Sequence, residues 1–591
     1  MGRRAGSDQE SRHARGGLTP FARPSDGDRT ALRRDLLAGL TVWAILVPEA
    51  LAYAAIAGVS PVVGLYAAPG ALVLYAALGS SRQLVCGPMA ATAALSAATV
   101  GEMAAGGSGA FVQLTIALAL CIGVAALAAG LLRLGFLASL ISEPVLKGFI
   151  VGLSLTIIVG QLPKLLGVAG SEGGFFERLA DLVRELGGVD VLTVAIGAGS
   201  LAVVLGLRRI APAIPGSLLV VVIGIVLVRS FDLGDRGLAI VGAIDEGLPS
   251  FGLPDAGIGD YRDLASGAIA IMLVGFAEGL AAAKAFAVRE GYEIDANREL
   301  VAVGGANLAS GLSSGMVVGG SLSKTAVNVS AGARTQLSGV IVAVLTVITL
   351  LFLTGLFESL PDATLAAIVI AALIDLVDIP ALVALHRVYT RRLGAAYGIA
   401  ARPDFIAAIA TLVGVLIFDT LPGLFIGIGI SLLLLLYRAS RPHIATLGRM
   451  PGDGDLWRDV AHNPEAKEVP GVAVLRVEGG LFFANADGVA HAIRDHAASR
   501  KVTAIVLDAD SVPFVDVAAA RMLKRLADQL HPDRRLTLAR GIGQVQDVLS
   551  KVDDAPLEIF PSIEAAITAV GPTAPSRSPD EGTEPISTDT T

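Results

Sequence analysis

Between Leu36 and Tyr437 the chain is a succession of apolar segments, and several are too short to cross a bilayer as helices. A spanning helix needs about 20 consecutive apolar residues. Segments 36–57, 61–79, 110–132, 190–207, 214–228, 264–287, 336–356, 404–418 and 421–437 are clear; others are cut by Gly or Pro. Segment 88–100 starts at Gly87-Pro88, and segment 321–331 follows Gly319-Gly320. In lipid, irregular backbone is tolerated only where protein buries it or where it lines a cavity. Counting the interrupted pieces, the pattern predicts about fourteen crossings and re-entrant segments. Composition agrees: 53% of residues are hydrophobic and 17% charged, against about 25% charged in ordinary soluble proteins. That balance excludes a wholly soluble enzyme. The 69 glycines suit helices packed backbone to backbone. A net charge of −8 argues against nucleic acid as a partner. Cys86 and Cys121 lie in apolar runs and suggest neither a disulfide framework nor a metal site.

Loop charge predicts the orientation. Residues 1–34 are polar and arginine-rich, with no apolar core and cleavage site after the first arginines, and read as a disordered cytosolic tail. The loop near 379–403 carries Arg387, Arg391, Arg392 and Arg402 and no acid, and Arg208-Arg209 and Arg438/Arg441 end apolar segments. The loop 229–263 is acidic instead. With an even number of crossings, every basic loop falls on the cytosolic side. The reading is thus a membrane domain over 35–438, a proline-marked linker over 439–470, an α/β domain over 471–571 and a disordered tail over 572–591. In the α/β domain, 472–477 (VAVLRV), 503–508 (TAIVLD), 535–540 (RLTLAR) and 556–560 read as strands, with helical patterns between them. This domain has no glycine-rich phosphate loop and no nucleophile elbow, so no cofactor is implied.

Two short, interrupted segments in opposite halves of a membrane domain point to a transporter built from inverted repeats. The first opens Cys86-Gly87-Pro88-Met89-Ala90; the second opens Gly319-Gly320-Ser321-Leu322-Ser323-Lys324. A helix start exposes unpaired N–H groups and the positive end of the macrodipole. Two such starts meeting near the midplane would make an anion site. Pro88 suits a first helical position, Ser321 and Ser323 can cap or donate, and Lys324 adds a full charge. Glu278, inside the apolar run VGFAEGLAAAK, is a candidate to carry a proton, or a cation such as sodium, because desolvation favours a neutral carboxyl. The alternative is a structural pairing with Lys284 or Lys324. Glu49 and Tyr53 share one helix face at i, i+4, and for Glu49 structural and functional readings both stand.

The runs 47–66 (VPEALAYAAIAGVSPVVGLY) and 79–88 (GSSRQLVCGP), then 290–297 (EGYEIDAN), 319–324 (GGSLSK) and 335–340 (TQLSGV), resemble the SulP anion transporters, relatives of human solute carrier family twenty-six. The carboxy-terminal part is similar to the STAS domain that ends those proteins. The resemblance covers about 32–570. It implies a polytopic α-helical fold of fourteen segments as two inverted seven-segment repeats with core and gate parts, commonly dimeric, plus a cytosolic α/β STAS domain. It also implies a central anion site between the third and tenth segments, carried by an elevator-like core. By motif position, the implied substrate site comprises Glu49, Tyr53, Met89, Ala90, Ser321, Leu322, Ser323 and Lys324, and Glu278 falls where proton-coupled relatives have an acid. Glu49 replaces the usual Gln, and Lys324 stands where many animal relatives have Arg, which loses the planar fork. Asp516 is followed by Val517 rather than by a serine that could be phosphorylated.

Three functions fit. The first is secondary active symport of an inorganic oxyanion, sulfate before others, with protons on Glu278. The second is a bicarbonate or chloride exchanger, or a sodium-coupled bicarbonate or dicarboxylate carrier. The third is a sensor whose membrane part reads an anion for the STAS domain and its cytosolic partner.

Overall fold

The computed structural model describes residues 29–101, 103, 108–136, 141–171, 173–211, 214–242, 247–374, 376–387, 402–418, 420–452, 456–499, 502–541, 543–552 and 557–570. Most of both expected tails and of the basic loop near 379–403 lies outside them. Two compact units divide the chain: residues up to 388 with 404–431, and residues 389–403 with 432 onward.

Among the described residues eight helices are long and apolar enough to cross a membrane, seven of them wholly in the first unit and the eighth, Thr420–Ala439, starting in it. Four more, Gly216–Phe231, Ala296–Leu312, Leu337–Phe352 and Pro403–Phe418, have 16 or 17 residues. Two shorter ones, Ala90–Gly101 and Leu322–Ser330, each follow a three-residue strand, β1 (Val85–Gly87) and β2 (Gly319–Ser321). In chain order the short helices are third in the first half and third in the second. The first helix, Arg29–Ile56, begins inside the stretch expected as a tail. Its opening TALRRDLL is rich in strong helix formers, which outweigh its polarity. An amphipathic helix, Phe175–Glu185, precedes Val191–Ile210.

The helices sort into two groups. Those from 29 to 131 and from 258 to 352 pack mainly on one another, as do those from 143 to 231 and from 362 to 387. Gly148 lets Glu143–Leu166 approach Pro403–Phe418 closely: a Cβ there would sit 2.0 Å from the Ala408 carbonyl oxygen. The first group is braced by buried carboxylates. Glu299 accepts from Tyr75 Oη (2.5 Å), Ser80 N (2.7 Å), Ser80 Oγ (2.6 Å) and Ser81 N (3.0 Å), tying the approach to β1 onto Ala296–Leu312. Asp35 accepts from Arg334 N (2.6 Å), Thr335 N (3.2 Å) and Thr335 Oγ1 (2.6 Å), doing the same for the chain leaving Leu322–Ser330.

The second unit holds a six-stranded sheet. Strands β5 (Val472–Glu478), β6 (Ala504–Asp508), β7 (Arg535–Ala539) and β8 (Ile559–Phe560) run parallel, and β3 (His443–Arg449) and β4 (Trp457–Asp459) extend β5 with antiparallel pairing. Side chains alternate across it: Ala473, Leu475 and Val477 face one apolar layer, Val472 and Val474 another. The segment expected as a linker therefore contributes two strands. Pro442 and Pro451 stand just outside β3, and Pro464 and Pro470 between β4 and β5, because a ladder strand needs the N–H that proline lacks. Asp516 caps helix Val517–Leu530, accepting from Ala519 N at 2.8 Å, while its other oxygen accepts from Phe483 N at 2.8 Å.

Candidate functional site

The site is built on the pairing of β1 with β2. The two strands are antiparallel, with Val85 opposite Ser321, Cys86 opposite Gly320 and Gly87 opposite Gly319. Antiparallel strands send the helices that follow them in opposite directions, so both positive helix ends converge on the pair. Val85 N donates to Thr325 Oγ1 (3.0 Å), and Asn328 Nδ2 donates to the Gln83 carbonyl (2.9 Å), locking one half-helix to the approach of the other. Gly279 and Gly320 let Ile258–Glu290 press on β2: a Cβ on Gly320 would lie 2.9 Å from the Gly279 Cα. That close approach sets Glu278 beside the strand pair.

All nine residues singled out from the sequence line one cavity of about 100 Å³: Glu49, Tyr53, Met89, Ala90, Glu278, Ser321, Leu322, Ser323 and Lys324. Ser321 is the N-cap of Leu322–Ser330, accepting from Lys324 N at 3.4 Å, and its hydroxyl lies 3.2 Å from that of Ser323. Pro88 differs from expectation. The Met89 carbonyl takes the first intrahelical bond, from Ala93 N at 3.0 Å, so Pro88 stands before the cap and its own carbonyl faces the site.

Lys324 is 1% exposed. Its Nζ is 2.8 Å from Glu49 Oε2, donates to the Pro88 carbonyl at 3.0 Å and sits 4.9 Å above the centre of the Tyr53 ring. Pro48, inside the same helix as Glu49, removes one intrahelical bond just before the carboxylate. Glu278 is half-buried, and among the described residues no hydrogen bond or ion pair reaches its carboxylate. The alternative pairings with Lys284 or Lys324 are not made, because Lys324 turns to Glu49 instead.

The far wall comes from the other helix group: Ile150, Leu153 and Ser154, then Arg208, then Ala372, Leu373 and Leu376. Arg208 is exposed at the mouth and donates to the Ala371 carbonyl at 2.8 Å. In the sequence Arg208 counts only as a charge at the end of an apolar segment. Its place at the end of an apolar segment carries no sign of what faces it across the fold.

Residues 32–397 match the Sulfate permease family, and residues 463–566 match the STAS domain. A "Probable sulfate transporter" of Mycobacterium tuberculosis is 39% identical over 87% of this chain and 89% of its own length. "High affinity sulfate transporter 1" of Stylosanthes hamata is 29% identical over 92% of this chain and 84% of its own. The structure of the murine Solute Carrier 26 family member A9 anion transporter in the inward-facing state superposes with a TM-score of 0.83, at 22% identity, over 92% of each chain, which establishes a common fold. A match over more than half of its length and a relative this similar along most of both sequences place the chain in the sulfate permease family, a family of membrane transporters, with a STAS domain following its membrane part.

Proposed function

We propose that this chain is a secondary active transporter that carries an inorganic oxyanion, sulfate, across the cell membrane together with a proton held on Glu278. The observation that carries this reading is the convergence on one cavity of two helix starts, Lys324 and a carboxylate with no ion-pair partner. Helix starts and an ammonium suit an anion. A carboxyl facing the same cavity can take a proton as the anion enters, which lowers the charge that crosses the hydrocarbon. The names of the two sulfate transporters above support sulfate as the anion. The cavity lies between the two helix groups, with the strand pair, Lys324 and Glu278 in one and Arg208 in the other. A slide of the first group past the second would carry the site from one side to the other, as an elevator does. In this reading both termini and the STAS domain are cytosolic, the domain serves a cytosolic partner, and the transporter works as a homodimer.

The test is uptake of labelled sulfate by proteoliposomes with and without an inward proton gradient. Accumulation should follow the gradient; uptake indifferent to it removes the proton from the mechanism. Glu278→Gln should abolish gradient-driven accumulation and leave exchange of internal for external sulfate intact. If accumulation survives that substitution unchanged, another group couples the proton.

A further inference from the structure

The 11 residues Phe175–Glu185 form a helix too short to cross a bilayer, and it joins two that are long enough, Glu143–Leu166 and Val191–Ile210. Its residues sort by face. Phe175, Phe176, Leu179, Leu182 and Val183 recur at helical spacing along one side, and Glu177, Asp181, Arg184 and Glu185 hold the other. The protein covers only one edge of the apolar side. Leu182 is buried, whereas Phe176 is 55% exposed, Leu179 37% and Val183 61%. Leu186, 51% exposed, continues this uncovered strip at i, i+3, i+7 and i+10 into the 3₁₀ turn that follows.

Contacts with the two spans fix the depth of the strip. Asp190 N donates to the Leu166 carbonyl at 3.1 Å, so the end of one span and the start of the other lie at one level. Arg178 reaches back to Gly160, where a Cβ would lie 3.4 Å from its Nη1. Gly160 is six residues before the end of its span, about 9 Å along the helix axis. The short helix is therefore held against the last turns of Glu143–Leu166, at the edge of the hydrocarbon.

From this placement we propose that Phe175–Glu185 is an interfacial helix whose partner is the lipid surface itself. Phe176, Leu179, Val183 and Leu186 insert among the acyl chains, and the charged side lies among the headgroups. Net charge does not draw it there. Glu177, Asp181 and Glu185 outnumber Arg178 and Arg184, and Arg184 is paired with Asp181 at 2.9 Å. The lipid it fits is zwitterionic and is held through apolar area. A second copy of the chain is the competing occupant, but a stable interface buries about 800 Å² on each partner. Four side chains on one short helix supply only part of that. The inference rests on the membrane setting and is independent of the anion and of the coupling ion.

The test is nitroxide labelling of the full chain, one position at a time, on a Cys86→Ala/Cys121→Ala background in phosphatidylcholine vesicles. Collisions are measured with oxygen, which dissolves in lipid, and with a nickel chelate, which stays in water. Labels at Phe176→Cys, Leu179→Cys and Val183→Cys should lie about 5–10 Å below the headgroup phosphates. Labels at Glu177→Cys and Arg184→Cys should lie at the phosphates or above them. All five positions are exposed, so the label displaces nothing packed. An equimolar mixture with phosphatidylglycerol should leave the depths unchanged. The proposal is overturned if the strip labels meet the nickel chelate as freely as the label at Arg184→Cys, since the strip then faces water. Shielding of the strip labels from both reagents also overturns it: with spin–spin broadening a second copy covers the strip, and without broadening another part of the chain does. Depths that increase on adding the anionic lipid overturn the zwitterionic fit.

Discussion

Each compact unit buries a carboxylate against a cation, and the two pairs are built differently. In the sheet unit Asp508 is completely buried at the end of β6. Arg476 Nε reaches it at 2.8 Å, Arg540 Nη2 at 2.6 Å and Arg540 Nε at 3.0 Å, and the Asp510 amide adds 3.3 Å. Burial works against the charge on Arg540, but the hydrogen bonds and negative charge of Asp508 outweigh it and hold that guanidinium above its ordinary pKa. In the membrane unit Glu49 and Lys324 face each other across a cavity wall, one cation to one anion. The difference teaches that burial of a charge pair does not by itself say what the pair is for. Redundant donors and rigid amides make a brace. A single ion pair lining a cavity is placed to meet a ligand.

Breaking the brace should have the largest effect. Asp508→Ala takes the buried partner from two arginines that are themselves partly exposed, so the cost should fall at the lower end for a buried pair, about 3 kcal/mol. Thermal unfolding of the full chain should show the sheet unit melting at distinctly lower temperature. A shift within error would mean that the arginines find other partners and that the brace is dispensable. Next comes Lys324→Ala. Losing a charge-assisted donor should weaken sulfate binding by about 1.5–3 kcal/mol. If instead Lys324→Ala unfolds the protein and the molecules that survive bind sulfate normally, Lys324 is a brace as well, and the contrast between the two pairs collapses.

Much of this was legible in the chain. The short segments opening at Gly87-Pro88 and Gly319-Gly320 announced broken helices, because glycine and proline interrupt apolar runs for reasons of backbone geometry that hold in any fold. Lys324 and Glu278 stood out because charge inside an apolar run is costly wherever it lies. What could not be read were relations across distance. Nothing local to Glu49 or Lys324 shows that they lie 2.8 Å apart; that depends on how the first helix packs against the tenth segment. The two strands hidden in 439–470 were missed for a different reason. Prolines that flank strands have the same composition as prolines that mark a linker, and only the pairing of β3 with β5 and of β4 with β3 tells them apart. The start of the first helix was misplaced because arginine is both a tail residue by charge and a good helix former by its side-chain freedom.

The smallest expected effect tests the outer edge of the site. The other cation lining the cavity is Arg208, exposed at the mouth and on the opposite helix group. A charge at a rim acts mainly on the rate of encounter, and salt screens it. Arg208→Ala should therefore raise the KM for sulfate about threefold at low ionic strength, with kcat little changed, and the difference should shrink as salt is added. Arg209 follows on the same exposed helix end but does not line the cavity. Arg209→Ala is the control, since it removes the same charge from the same helix end. If both variants raise KM alike, the bulk charge of that helix end is responsible and Arg208 has no special station. If Arg208→Ala lowers kcat and leaves KM alone, its bond to the Ala371 carbonyl matters more than its charge, and the residue belongs with Asp508 among the braces rather than with Lys324 on the cavity lining.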